Sequence, residues 1–292
     1  MDKLTGTGIA LITPFNENRE IDYPALEKLV DHTVNGGVEY LVCLGTTAET
    51  PTLNEKEKAE ILAVIKSANA GRLPLVVGIG GNNTEEVKSE FNTTDLSDFI
   101  AVLSASPAYN RPNQEGIYQH YKALAENTDV PIILYNVPSR TGSNINPETT
   151  LRLAHDFKNI IAIKEASPNF LQSTEILKDK PNGFEVISGD DEFGLPMTLA
   201  GGKGVISVIA QGLPQAYTKM IRLGLNRQVD EAYQIHYQLM DIIRAIYIEG
   251  NPSGIKSLLD HQGICKSFTR LPLVPASEEL SRKIKSLLEN IN

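Results

Sequence analysis

Eight short apolar runs recur between residues 8 and 208 at intervals long enough for a helix to lie between each pair, and this alternation constrains the fold more than any other feature. The runs are Gly8 to Thr13, Tyr40 to Leu44, Leu75 to Ile79, Phe99 to Leu103, Pro131 to Tyr135, Ile160 to Lys164, Phe184 to Ile187 and Gly204 to Val208. Each is rich in Val, Ile or Leu and bounded by Gly, Pro, Asn or Asp. Such runs suit strands buried on both faces of a parallel sheet. Between them lie segments with apolar residues near period 3.6. Tyr23 to Val34 carries Leu26, Leu29, Val30 and Val34 on one stripe. Asn54 to Ser67 opens on an N-cap Asn with Glu57 three residues on, the pattern of a capping box. Asn113 to Glu126 behaves alike, and Pro147 to His155 starts on a proline suited to a first turn.

Eight strands each followed by a helix point to an α/β fold of the (β/α)8 TIM-barrel type. The rival, a doubly wound open sheet, uses fewer strands and often a Gly-rich nucleotide turn. After Gly224 the strand signals stop, and Val229 to Ile248, Ser253 to His261 and Ser277 to Ile291 all read as helix. The expected organisation is a catalytic barrel over residues 1–224 and a C-terminal helical domain over residues 225–292. A chain of 292 residues with 41% hydrophobic content has the material for one large core with such an appendage.

A formal net charge of −9, with no basic stripe, argues against a nucleic-acid partner. No apolar run approaches the roughly 20 residues of a membrane helix, and no signal-peptide pattern opens the chain. Cys43, in an apolar run, and Cys265 are too few for a disulfide framework and fit a reducing cytoplasm. The expected location is therefore cytoplasmic. Gly78-Ile79-Gly80-Gly81-Asn82-Asn83 lacks the third glycine of a dinucleotide fingerprint, and Gly201-Gly202-Lys203-Gly204 lacks the Ser or Thr of a phosphate loop. Ser253-Gly254-Ile255-Lys256 matches a Ser-x-x-Lys pattern without its partner motifs and reads as an N-cap serine opening a helix. The five histidines, His32, His120, His155, His236 and His261, have no metal-ligand spacing and read mostly as helix-surface residues. Neither a metal nor a cofactor is expected.

Chemistry concentrates at the ends of the apolar runs. Lys164 closes Ile160-Ile161-Ala162-Ile163, where lysine is rarely buried without a reason. The C-terminal ends of barrel strands form the catalytic face. There a lysine held from water gives up its proton more readily, and its neutral amine can attack a ketone to form an imine. The protonated imine is an electron sink that lets the adjacent carbon lose a proton. Tyr135 closes another run, Thr46 and Thr47 follow Leu44-Gly45, and Tyr109 follows Ser106-Pro107-Ala108. Hydroxyls from several strand ends can pass protons at one barrel mouth.

Four segments in register carry a family resemblance: Gly45-Thr46-Thr47-Ala48-Glu49, Ser106-Pro107-Ala108-Tyr109-Asn110-Arg111-Pro112, Tyr135-Asn136-Val137-Pro138-Ser139-Arg140-Thr141-Gly142 and Ile163-Lys164-Glu165-Ala166. In order and spacing, along nearly the whole chain, the sequence resembles the dihydrodipicolinate synthase family of pyruvate-lysine aldolases. The resemblance implies a (β/α)8 barrel with a helical C-terminal domain. It also implies a lyase condensing pyruvate with aspartate semialdehyde on the diaminopimelate route to lysine, as a homotetramer built as a dimer of dimers. Carried over by position, Lys164 forms the imine with pyruvate and Tyr135 donates and accepts protons. Thr46 links Tyr135 to Tyr109, which family tetramers supply from a neighbouring subunit. Thr47 holds the pyruvate carboxylate, the Ile206 backbone contacts pyruvate, and Arg140 binds the carboxylate of the incoming aldehyde through its bidentate fork.

The resemblance further marks an allosteric lysine site at Asn82, Glu86 and Ala108. Asn82 and Glu86 match it. Ala108 stands where many members place an aromatic residue, and Glu55 and Lys58 stand where lysine-inhibited members often carry histidines. These departures weaken the expectation of feedback inhibition and leave catalysis untouched. Two other readings stay open on sequence. N-acetylneuraminate lyase and sugar-acid aldolases share the Lys and Tyr but tend to lack the arginine at position 140. A barrel that binds 2-oxo acids without turnover would have no need of the Lys164, Tyr135, Thr46 and Tyr109 set.

Overall fold

The computed structural model describes residues 2–291. Eight parallel strands, β1 Gly6–Ala10, β2 Tyr40–Cys43, β3 Leu75–Gly78, β4 Phe99–Ala105, β5 Ile132–Asn136, β6 Ile160–Glu165, β7 Glu185–Ser188 and β8 Gly204–Ser207, close into a barrel in chain order. Closure comes from β1 pairing with β8, Gly6 opposite Gly204 and Gly8 opposite Ile206. At Gly204 the backbone takes φ +128 and a Cβ would fall 1.9 Å from the Gly6 carbonyl oxygen, so only glycine lets the two strands meet.

Around the barrel run α1 Tyr23–Asn35, α2 Glu55–Asn69, α3 Thr84–Thr93, α4 Gln114–Ala125, the short α5 Pro138–Thr141, α6 Pro147–Asp156, α7 Phe170–Asp179, α8 Gly194–Leu199 and α9 Pro214–Leu225. The α2 capping box forms in full, with Asn54 accepting from the Glu57 amide and Glu57 accepting from the Asn54 amide. Asn113 caps α4 by one half of that pattern, accepting from the Gly116 amide. Three further helices follow: α10 Val229–Ala245, α11 Ser253–His261 and α12 Glu278–Glu289. The boundary expected after residue 224 falls in the last turn of α9. Buried apolar residues run across it without a break, from the strands through Ile221 to Leu239, Ile255 and Ile284.

Three expectations change. The first apolar run extends to Thr13, but β1 stops at Ala10 because the Ile12 amide is taken by the Gln211 Oε1, 3.0 Å away, instead of by a strand. Ser253 is not an N-cap: it lies inside α11, where its hydroxyl donates to the Val274 carbonyl at 2.6 Å. His120 and His236 are buried, unlike exposed His155 and His261. His120 lies on the inner stripe of α4, where its Nδ1 pairs with the Thr84 hydroxyl at 2.9 Å.

Candidate active site

Strand register places the central residues. In β5 and β6, Tyr135 sits directly opposite Lys164, and in β6 and β7 Lys164 sits opposite Ile187. Side chains in register on neighbouring strands share a face of the sheet. Both are buried, with Lys164 5% and Tyr135 7% exposed, and the Lys164 Nζ lies 4.4 Å from the Tyr135 ring centroid. Space for the lysine stem is kept at Gly189, the residue after β7, where a Cβ would come within 3.1 Å of the Lys164 Cγ and Cε.

Glu165, next in β6, points to the opposite face of the strand. Its buried carboxylate accepts from the Asn136 Nδ2 at 2.9 Å, the Gln172 Nε2 at 2.8 Å and the Ser167 amide at 2.7 Å. Burial pushes this carboxyl above its usual range, and those hydrogen bonds oppose the shift. The network clamps the end of β6 and thereby the backbone that carries Lys164.

The turn after β2 holds Thr46 and Thr47. It starts at Leu44, which takes φ +52, and ends at Glu49 with φ +56. The Thr50 hydroxyl donates to the Leu44 carbonyl at 3.0 Å and to the Gly45 carbonyl at 2.9 Å, and the Thr13 hydroxyl donates to the Ala48 carbonyl at 2.8 Å. Glu49 is buried and pairs with Lys256 of α11 at 2.5 Å, both side chains being fully enclosed. Its second oxygen accepts from the Arg270 amide at 2.9 Å. Thr47 is buried beneath the turn, while Thr46 is exposed in the single chain.

A cavity of about 600 Å³ opens at this end of the barrel. Thr46, Tyr135, Arg140 and Ser106 line it, and the buried hydroxyl of Ser106 has no partner. Lys164, Thr47 and Ile206 are not in its lining; they are buried at the same end of the barrel, in the last residues of β6, in the turn after β2 and in the last residues of β8. Arg140, on α5, is exposed and donates from its Nη2 to the Asn251 carbonyl at 3.3 Å. The structure thus gathers Lys164, Tyr135, Thr46, Thr47, Ile206 and Arg140 at one barrel end. Tyr109 does not join them: in the loop after β4 it takes φ +70 and stands 90% exposed.

The candidate allosteric residues divide. Asn82 and Ala108 line the same cavity, as do Lys58 and Glu90, whereas Glu86 on α3 is exposed and outside the lining. Lys58 pairs with Glu55 at 2.9 Å and with Glu90 at 3.4 Å, so the two positions expected to carry histidines in lysine-inhibited members hold an ion pair here.

Sequence reasoning missed Asp191, which caps the end of β8. Its carboxylate accepts from the Ser207 hydroxyl at 2.5 Å, the Ile209 amide at 3.0 Å and the Tyr247 hydroxyl at 2.9 Å. It also missed Asn251 and the Glu49–Lys256 pair, because each joins residues some 200 positions apart. The one local signal was Lys256 itself, a charged residue on the apolar stripe of α11.

The comparisons agree with this geometry. Residues 3–291 match the model of the dihydrodipicolinate synthetase family. The 4-hydroxy-tetrahydrodipicolinate synthase of Flavobacterium psychrophilum is 55% identical over 284 residues, covering 97% of this chain and 97% of the relative. The crystal structure of dihydrodipicolinate synthase from Thermotoga maritima superposes with a TM-score of 0.96 at 36% identity, covering 98% of each chain. A monomeric dihydrodipicolinate synthase variant superposes equally well, with a TM-score of 0.96 at 36% identity, covering 99% of this chain and 97% of its own. With the closed barrel, the strand-end lysine and its tyrosine neighbour in place, this chain belongs to the dihydrodipicolinate synthetase family.

Proposed function

We infer that this chain is a lyase that condenses pyruvate with L-aspartate 4-semialdehyde to 4-hydroxy-tetrahydrodipicolinate, with Lys164 carrying pyruvate as an imine. The observation that carries the reading is the buried Lys164 amine against the Tyr135 ring, at the C-terminal end of a closed barrel. The Lys164 amine adds to the pyruvate ketone, and loss of water leaves a protonated imine. A methyl proton then leaves, and the resulting enamine carbon attacks the aldehyde, whose oxygen takes up a proton; the amino group of the aldehyde substrate then adds to the re-formed imine carbon and expels the Lys164 amine, which closes the ring and frees the enzyme. Tyr135, opposite Lys164 in the strand register, supplies the hydroxyl for these transfers. Thr47 holds the pyruvate carboxylate, the Ile206 backbone borders it, and Arg140 on the cavity wall receives the carboxylate of the aldehyde.

Thr46 and Tyr109 belong to a relay completed between subunits in a homotetramer. The exposure of both side chains in one chain is what such an arrangement needs, since a neighbour would cover them. Light scattering should then give four times the 32.0 kDa chain mass. Among the described residues no helix is long and apolar enough to cross a membrane, and a cytoplasmic location is the reading that goes with the biosynthetic role.

The decisive experiment is borohydride trapping with pyruvate followed by peptide mapping. The expected adduct is on Lys164, and an adduct elsewhere, or none, removes the mechanism. Arg140→Ala should keep the adduct while losing most condensation with aspartate semialdehyde, and N-acetylmannosamine should not consume pyruvate.

A further inference from the structure

The buried part of the carboxylate-binding turn is touched by a residue from the far end of the chain. Asn251 follows α10, and its Nδ2 donates to the Thr47 Oγ1 at 2.9 Å. Its backbone carbonyl accepts from the Arg140 Nη2 at 3.3 Å. Its Oδ1 is buried without a partner. One residue therefore contacts both groups assigned to carboxylates, one for each substrate.

We propose that Asn251 is a positioning residue for both substrates, its amide orienting the Thr47 hydroxyl and its backbone carbonyl bracing Arg140. The inference rests on the pyruvate reading given above. A threonine hydroxyl has one proton and two lone pairs. The Asn251 amide occupies a lone pair and cannot accept, so the Thr47 proton stays free to be donated to the pyruvate carboxylate. The opposite amide orientation would present the Oδ1 and compete for that proton. A purely structural asparagine seldom keeps a buried acceptor unpaired, and here the unpaired atom is what the preferred orientation leaves over.

The placement of Asn251 is itself determined by the fold. Gly250 precedes it with φ +95, and the Gly250 amide donates to the Tyr247 carbonyl at 3.0 Å. Tyr247 is tied in turn to Asp191 at the end of β8. Five residues beyond Asn251, Lys256 grips Glu49 at the end of the same turn. The segment 247–256 thus holds the turn at two points, Thr47 and Glu49.

The test measures the pyruvate concentration that half-saturates borohydride trapping in Asn251→Ala, Asn251→Asp, Thr47→Val and the double variant Asn251→Ala/Thr47→Val. Asn251→Ala should raise it about ten-fold, the scale of a weakened hydrogen bond to a charged group. Asn251→Asp should raise it more, because a carboxylate takes the Thr47 proton and repels the pyruvate carboxylate. In both, maximal labelling of Lys164 and the melting temperature should stay near those of the parent, which separates orientation from loss of fold. In the Thr47→Val background, Asn251→Ala should have no further effect. An unchanged half-saturation in Asn251→Ala, or an equal rise in the absence of the Thr47 hydroxyl, overturns the proposal. If Asn251→Ala does not fold, the isosteric Asn251→Asp carries the same comparison with and without Thr47→Val. Labelling of Lys164 in the parent protein tests the pyruvate reading separately.

Discussion

The Lys164 Nζ lies 4.4 Å from the centroid of the Tyr135 ring, and the two residues face each other across β5 and β6. The contact has two parts that mutation can separate. The ring covers one side of the amine, while the hydroxyl is available for proton transfer. Tyr135→Phe keeps the ring and removes the hydroxyl. It should slow imine formation by about 10²- to 10⁴-fold, the usual contribution of one general acid–base group, with an unchanged melting temperature. Stopped-flow trapping against time checks the rate.

Gly189 sets the room beside the lysine. A Cβ there would lie 2.7 Å from the Ala166 Cβ and 3.1 Å from the Lys164 Cγ and Cε. Gly189→Ala should therefore cost about 1–3 kcal/mol through overpacking, and it should also displace the amine and reduce adduct formation. Denaturant unfolding measures the first effect and labelling of Lys164 the second. Unimpaired labelling at normal stability would show that the site has slack here.

The Lys256–Glu49 pair is wholly enclosed. Burial pulls the Lys256 ammonium below its ordinary value, and the Glu49 carboxylate opposes that pull. Lys256→Met leaves Glu49 buried with the Arg270 amide as its remaining donor. The expected loss is about 3–5 kcal/mol, the scale for breaking a buried pair by removing one partner. Adding Glu49→Leu should recover part of that loss, because no buried charge is then left unpaired. Urea midpoints of the single and double variants test the order.

His120 predicts an acid limb to stability. Burial lowers its pKa from 6.5 to about 4. The folded state thus binds this proton less readily than the unfolded chain, so the contribution is complete above about pH 6.5 and is lost as pH falls toward 4. The shift corresponds to about 3 kcal/mol at most. Melting temperatures measured between pH 7 and pH 4 should fall less steeply in His120→Gln than in the parent. Equal slopes would remove His120 as the cause.

The barrel was legible because each strand is a short, doubly buried apolar run, and that pattern is local. All eight runs became strands, and seven of them end within two residues of the expected position. The first overran because Gln211, distant in sequence, takes the Ile12 amide. The placement of Lys164, Tyr135, Thr46, Thr47 and Arg140 at one barrel end was legible too, since each sits at or just beyond the end of a run and belongs to a compact motif. The buried histidines were not, because a helical wheel shows periodicity but not which neighbour covers the stripe.

By itself, then, the sequence determined the order of strands and helices, the strand-end lysine and the family motifs around it, because these are carried by side-chain period and by residues within a few positions of one another. Tertiary structure alone decided how the site is held. The Asn251–Thr47 bond spans 204 positions and the Lys256–Glu49 pair 207. Such contacts leave no periodic trace in a single chain, since either partner could satisfy its polar groups with water until closure of the barrel and docking of the last helices bring them together and exclude it.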